Sequence, residues 1–238
     1  DGLRFFEPPI LSVGSASDPG FMKLREKGVV GPHHMLPTDW LPDAKSVISL
    51  FLPHTERTIK SNTLDPREPS YEWLFGRIEG QQQLLATGLL VRDALIEGGY
   101  KAHLPYTDSR LIMRFAAAQT DIPIPVFSSN WSERHVAYVT GLGTFGRMTN
   151  FISKRGTCGR LISVVTDWAP APDVKDYSGP YDYCADCYVC YKACPGEAFG
   201  NNGKDIHKCS GFLRENCMKY QPRYACGKCQ TGLPCSTK

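Results

Sequence analysis

Through the first three quarters of the chain, apolar residues fall into runs whose period separates strands from helices. Ser46–Leu52 reads Ser-Val-Ile-Ser-Leu-Phe-Leu and is closed by Pro53. A continuous apolar run of that length predicts a buried strand. Leu41-Pro42-Asp43-Ala44 supplies the turn before it. Leu161–Thr166 predicts a second buried strand, and Tyr100–Leu104 a further one. Tyr71–Glu97 places Leu84, Leu85, Gly88, Val91 and Leu95 at helical spacing and ends at Gly98-Gly99, a C-cap signal. Ser109–Gln119 predicts another helix. Asn130 followed by Glu133 forms a capping-box variant that predicts a helix over Trp131–Thr140, stopped by Gly141-Leu142-Gly143.

The pattern changes after Asp167. Asp167–Pro180 is rich in Pro, Asp and Gly and connects a mixed helix and strand region to a cysteine-rich one. The expected division is residues 1–175 and 176–238. The 238 residues suffice for one large domain with a small appendage. No repeat at solenoid periods is present.

A formal charge of +3, with no Lys/Arg run longer than two, gives no support to nucleic-acid or membrane binding. The longest apolar patches, Leu84–Ile96 and Ser46–Leu52, fall short of a membrane span. No signal peptide or twin-arginine segment is visible, so a cytoplasmic location is expected. The chain starts at Asp1 without a methionine, which leaves a preceding segment open.

Ten cysteines are present, none before Cys158, and nine fall between Cys184 and Cys235. A disulfide scaffold spreads its cysteines over the whole fold. This clustering fits metal chemistry in a reducing compartment instead. Cys184-x2-Cys187-x2-Cys190-x3-Cys194-Pro195 matches the bacterial ferredoxin run, whose fourth cysteine serves the other cluster in two-cluster proteins. Cys209, Cys217, Cys226, Cys229 and Cys235 follow. The expected sets are Cys184, Cys187, Cys190 and Cys235 for one [4Fe–4S] cluster, and Cys194, Cys209, Cys226 and Cys229 for the other. Cys217 is the alternative to Cys209. Zinc is the alternative metal, but the triple run is not a zinc pattern. Cys158, just before a strand, reads as a small core residue.

Other motifs carry less. Gly141-Leu142-Gly143-Thr144-Phe145-Gly146 has dinucleotide-fingerprint spacing but follows a helix, which excludes a Rossmann reading. Asp205-Ile206-His207 starts like the corrinoid motif D-x-H-x-x-G, yet Ser210 stands at the glycine position and Gly211 comes one place late. His207 then reads as a surface residue. His33-His34 reads as a polar loop, and Tyr106 is unplaced.

Asn130-Trp131-Ser132-Glu133-Arg134-His135, the Gly141–Gly146 turn and Gly156 to Thr166-Asp167 are similar to the core of epoxyqueuosine reductases and reductive dehalogenases. So are Trp40–Ser49 and Lys208-Cys209-Ser210-Gly211-Phe212-Leu213. The resemblance covers the chain from about residue 8 onward. It implies an α+β fold (an α/β sandwich): a nitroreductase-like domain holding base-off cobalamin, with a ferredoxin-like domain carrying two [4Fe–4S] clusters. It further implies that Asn130, Thr149, Asn150, Phe151, Leu161, Val164, Ser210, Gly211 and Gln230 line the corrinoid.

The function so implied is an anaerobic, corrinoid-dependent iron–sulfur oxidoreductase, with the clusters relaying single electrons to cobalt. Its expected partners are a ferredoxin- or flavodoxin-like donor and a small-molecule or corrinoid-protein substrate. The alternative is an iron–sulfur electron-transfer protein that reduces the corrinoid of a partner; FMN is the alternative cofactor. Glu133 and His135 are candidates for a proton donor or corrinoid contact, against a capping role for Glu133 and a packing role for His135. Departures narrow the substrate. The position matching the aspartate proton donor of epoxyqueuosine reductases falls at Phe127-Ser128, where no acid stands, and the tRNA-binding C-terminal repeats are missing. The short chain without a twin-arginine leader speaks against a respiratory dehalogenase.

Overall fold

The structure, a computed structural model, describes residues 2–116 and 118–237. In chain order it contains β1 (Ile10–Ser15), α1 (Pro19–Leu24), α2 (Pro37–Trp40), β2 (Ser46–Pro53), α3 (Glu56–Ser61), α4 (Tyr71–Glu97), β3 (Ala102–His103), β4 (Met113–Arg114) and β5 (Ser128–Ser129). Then come α5 (Glu133–Thr140), β6 (Gly143–Phe145), β7 (Phe151–Ser153), β8 (Gly159–Thr166), α6 (Val189–Lys192), β9 (Phe199–Gly200), β10 (Gly203–Lys204) and α7 (Ile206–Tyr220).

A four-stranded sheet in the order β1-β2-β8-β3 forms the centre, with every neighbouring pair antiparallel. All eight residues of β2 are buried, as its unbroken apolar run requires. Alternation along the paired strands then sorts side chains onto two faces. Ile48, Leu50, Ile162 and Val164 share one core with Leu84 of α4. Val47 and Val165 share another with Trp131, Val136 and Val139 around α5. The sheet is therefore covered on both faces. Each large buried apolar side chain contributes about 1.5–3 kcal/mol.

Helix α4 spans the predicted residues. Ser70 caps it, its hydroxyl accepting from the Trp73 N–H at 3.1 Å. Its backbone lies close against the sheet at Gly88, where an added Cβ would stand 2.8 Å from Ile162 Cδ1.

Several expected elements differ. The strand over Tyr100–Leu104 shortens to Ala102–His103, and the strand at Leu161 begins two residues earlier, at Gly159. The helix over Ser109–Gln119 does not form, Ala117 within it lying outside the described residues. Side chains from elsewhere take its backbone groups instead. Asn130 donates to Arg110 O at 2.8 Å and accepts from Ile112 N–H at 2.9 Å. Met113 and Arg114 pair with Ser129 and Ser128. Asn130 is thus a brace and not a helix cap: α5 starts at Glu133, and its N-cap residue Ser132 makes no side-chain capping bond. The helix stops at Gly141, whose φ of 99° favours glycine.

The cysteine-rich segment folds back onto the first region. Thr157 N–H donates to Cys235 O at 2.9 Å. Asn62 Nδ2 donates to Cys226 O at 3.0 Å and to Thr231 Oγ1 at 3.1 Å. Among the described residues, no helix is long and apolar enough to cross a membrane.

Candidate metal centres and the polar cluster at the start of α5

Two cavities lie in the cysteine-rich region. Cys194, Cys209, Cys226 and Cys229 line the first, of about 310 Å³. Cys184, Cys187, Cys190 and Cys235 line the second, of about 250 Å³. Short elements bring them there. Helix α6 carries Cys190 and releases Cys194 beyond its end. Asp205 caps α7, accepting from the His207 and Lys208 N–H groups, and so places Cys209 in its first turn. The chain beyond α7 returns Cys226 and Cys229, with Gly227 at φ 74° against the Trp73 ring. Cys194 and Cys235 thus each join a set remote from their immediate neighbours in sequence. Cys217, further along α7, lines neither cavity.

Among the described residues, no three His, Cys, Asp or Glu side chains converge on a single-ion position. Each set of thiols surrounds a cavity instead. A zinc site holds four sulfurs about 2.3 Å from one point. A cubane takes one thiolate at each corner, which keeps the sulfurs apart and fills a volume. Both cavities suit the cubane. Donors already face the sulfurs: Ala198 N–H to Cys194 Sγ at 3.4 Å and Asn150 Nδ2 to Cys229 Sγ at 3.8 Å.

The thiols sit in different fields. Burial pushes Cys229 up to about 12 and Cys226 up to about 11, with Lys204 and Lys228 respectively pulling back. Burial and the neighbouring Cys184, Cys190 and Cys187 push Cys235 up to about 11. Cys158 is fully buried and donates to Gln230 O at 3.0 Å. Its thiol is raised by burial, then by Cys235 and Cys229, one from each set.

A cluster of polar and titratable side chains lies at the start of α5. Burial pushes the Glu133 carboxyl up to about 7, against hydrogen bonds from Ser163. Ser163 Oγ also accepts from the Trp131 indole at 2.9 Å. His135 Nδ1 lies 2.7 Å from Ser132 Oγ, and its ring is pushed down to about 3 by burial, then by Arg134 and His34. His34 Nε2 accepts from the Ser132 N–H at 3.2 Å and is pushed down to about 4, mainly by burial. Arg134 is solvent-exposed, yet burial among protein atoms lowers its guanidinium. It donates to Thr149 O at 2.7 Å. His33 and His34 point apart but belong to one site: His33 Nε2 lies 2.8 Å from Ser128 Oγ.

The residues expected to line a corrinoid are divided. Thr149 and Gly211 are exposed, and Asn150 and Ser210 half-buried. Phe151 and Val164 are buried in the core and present no surface to a ligand. Leu161 packs half-buried beside Phe51. The Asn130 side chain is engaged in bracing the 110–112 loop. Gln230 lines the first cavity and donates to Thr157 O at 3.1 Å. His207 is exposed, edge-on to Phe127 at 5.9 Å.

Sequence reasoning missed His54, Arg77, Arg160 and Lys204, which also line the first cavity. They come from four separate segments, and nothing local marks them. Lys228, inside the Cys226–Cys229 pair, was visible as a charge between two ligand candidates.

No protein-family profile matches the chain, and no curated protein matches it. Solved structures do. An epoxyqueuosine reductase with an epoxyqueuosine-modified tRNA-Tyr stem loop is 17% identical over 97% of this chain, with a TM-score of 0.55. The epoxyqueuosine reductase from Streptococcus thermophilus is 18% identical over 94%, with a TM-score of 0.51. A catabolic reductive dehalogenase is 16% identical over 92%, with a TM-score of 0.51. The chain spans 61% of the length of these two reductases and 28% of that of the dehalogenase. At these identities the likeness is one of fold, and at that level the resemblance seen in the motifs holds.

Proposed function

We propose that the chain is an iron–sulfur oxidoreductase holding two [4Fe–4S] clusters and working with a corrinoid. The observation that carries this reading is the gathering of eight cysteines into two sets of four, each around its own cavity. Cys194, Cys209, Cys226 and Cys229 would hold one cluster, and Cys184, Cys187, Cys190 and Cys235 the other.

When bound, the clusters supply one-electron transfer and the corrinoid a strongly reducing cobalt centre. The protein's own groups do the rest. Asn150 and the Ala198 N–H donate to Cys229 and Cys194 Sγ, and toward a bound cluster these bonds would favour the reduced, more negative state. Cys187 is exposed, opening the second cavity toward a donor protein. At the start of α5, His135 and His34 stay neutral, and Glu133, at about 7, holds a proton that it can release near neutral pH. Glu133 thereby takes the acid role for which Phe127-Ser128 offers no group.

The test is anaerobic reconstitution with iron and sulfide, then titration with cobalamin and separately with FMN. Stoichiometric cobalamin uptake with a base-off spectrum is expected. Uptake of FMN alone, or of neither, overturns the corrinoid part.

A further inference from the structure

The two cysteine-lined cavities differ in the fixed charge around them. The first is lined by Arg77, Arg160 and Lys204 and by no carboxylate among the described residues. A fourth cation stands beside its thiols. Lys228 lies between Cys226 and Cys229, is only 5% exposed, and donates through Nζ to Asn62 O at 2.6 Å. Its nearest acids are engaged elsewhere: Asp65 accepts from the Arg67 and Glu68 N–H groups, and Glu68 pairs with Lys219. A buried ammonium without a carboxylate partner is costly unless an anion lies near. Arg160 makes the same demand. Its Nε and the adjoining Gln81 Nε2 are buried with no hydrogen-bond partner among the described residues.

The second cavity is balanced. Arg147 lines it but is held by Asp186 at 2.6 and 3.1 Å. Asp182 lines it too, accepting from the Ser178 and Gly179 N–H groups.

We propose that Lys228, with Arg77, Arg160 and Lys204, sets the reduction potential of the cluster in the first cavity above that of the cluster in the second. This rests on the two-cluster reading. Reduction adds one electron and one negative charge, with no bond made or broken and no proton required. Enclosure alone would disfavour that added charge in the first cavity. Several fixed cations outweigh enclosure, because each unit charge at short range inside a protein shifts an equilibrium about tenfold or more. An electron from an external one-electron reductant, arriving at the exposed Cys187 side, then moves downhill to the first cavity.

The full chain, reconstituted to about eight irons, is reduced stepwise with dithionite through mediators and followed by EPR. Two separate one-electron waves are expected. Cys187→Ala, at the second cavity, keeps the higher wave. Lys228→Met lowers that wave about tenfold in its equilibrium constant, about 59 mV for one electron, and leaves the lower wave in place. Lys204→Gln, at a half-buried side chain, moves the same wave the same way, and Lys228→Arg keeps it. One unresolved wave, or equal movement of both waves in Lys228→Met and Lys204→Gln, overturns the proposal. Failure to bind about eight irons overturns the two-cluster reading beneath it.

Discussion

The central sheet and the cysteine module are held together by different physics. In the sheet, β2 is buried along its whole length and β8 brings Ile162 and Val164 to zero exposure. Apart from α7, the module has short elements, and it has few large buried apolar side chains, chiefly Phe212 and Leu233. Its backbone is tied by caps, by the Asn62 bonds and by chain returning past Gly227. Hydrophobic burial suffices for the first region. On the two-cluster proposal the second would depend on what the thiols bind, because ligand bonds there would replace a core.

Removing the metal is the harshest way to break this comparison. Chelation of the reconstituted protein is expected to raise amide exchange in α7 and in residues 221–237 roughly hundredfold, while β2 and β8 stay protected. Simultaneous loss of both regions would show that they are one cooperative unit. Cys209→Ala should lose about half of the bound iron, whereas Cys217→Ala should keep it all. Metal analysis of the two variants checks this, and the reverse pattern would exchange their roles. Within the sheet, Ile162→Ala is expected to cost about 2–5 kcal/mol in denaturant titration, with iron content unchanged.

The smallest effect concerns Glu133. Glu133 is raised from an ordinary 4.5 to about 7, so the folded chain binds this proton more tightly than the unfolded one. Its contribution to stability is present below pH 4.5 and is lost as pH rises through about 7. Glu133→Gln should therefore gain about 1–2 kcal/mol over the parent at pH 8 and little at pH 4.5. Stability curves against pH decide it. A constant difference across that range would remove Glu133 as the proton-holding group.

Legibility in the sequence followed the same division. The Ser46–Leu52 strand and the Tyr71–Glu97 helix were readable because each signal is local: an unbroken apolar run, and a helical period closed by two glycines. Ser109–Gln119 misled because its local helical pattern was overridden by Asn130, a residue outside the segment. That same engagement took Asn130 away from α5. The cysteine spacing was readable, and its two sets are the ones the fold gathers. The cations of the first cavity were not, since Arg77 on α4, Arg160 on β8 and Lys204 on β10 meet only after folding. The histidine pair looked inert because adjacent side chains diverge, but the fold brings both against the segment from Ser128 to Ser132.

The central claim is that eight cysteines hold two cubanes. Its most direct test is the iron, acid-labile sulfide and zinc content of the anaerobically reconstituted chain, with the cluster type read by Mössbauer spectroscopy. About eight irons and eight sulfides per chain are expected, all in four-iron clusters. Four irons or fewer, or zinc in place of iron with no sulfide, would contradict it.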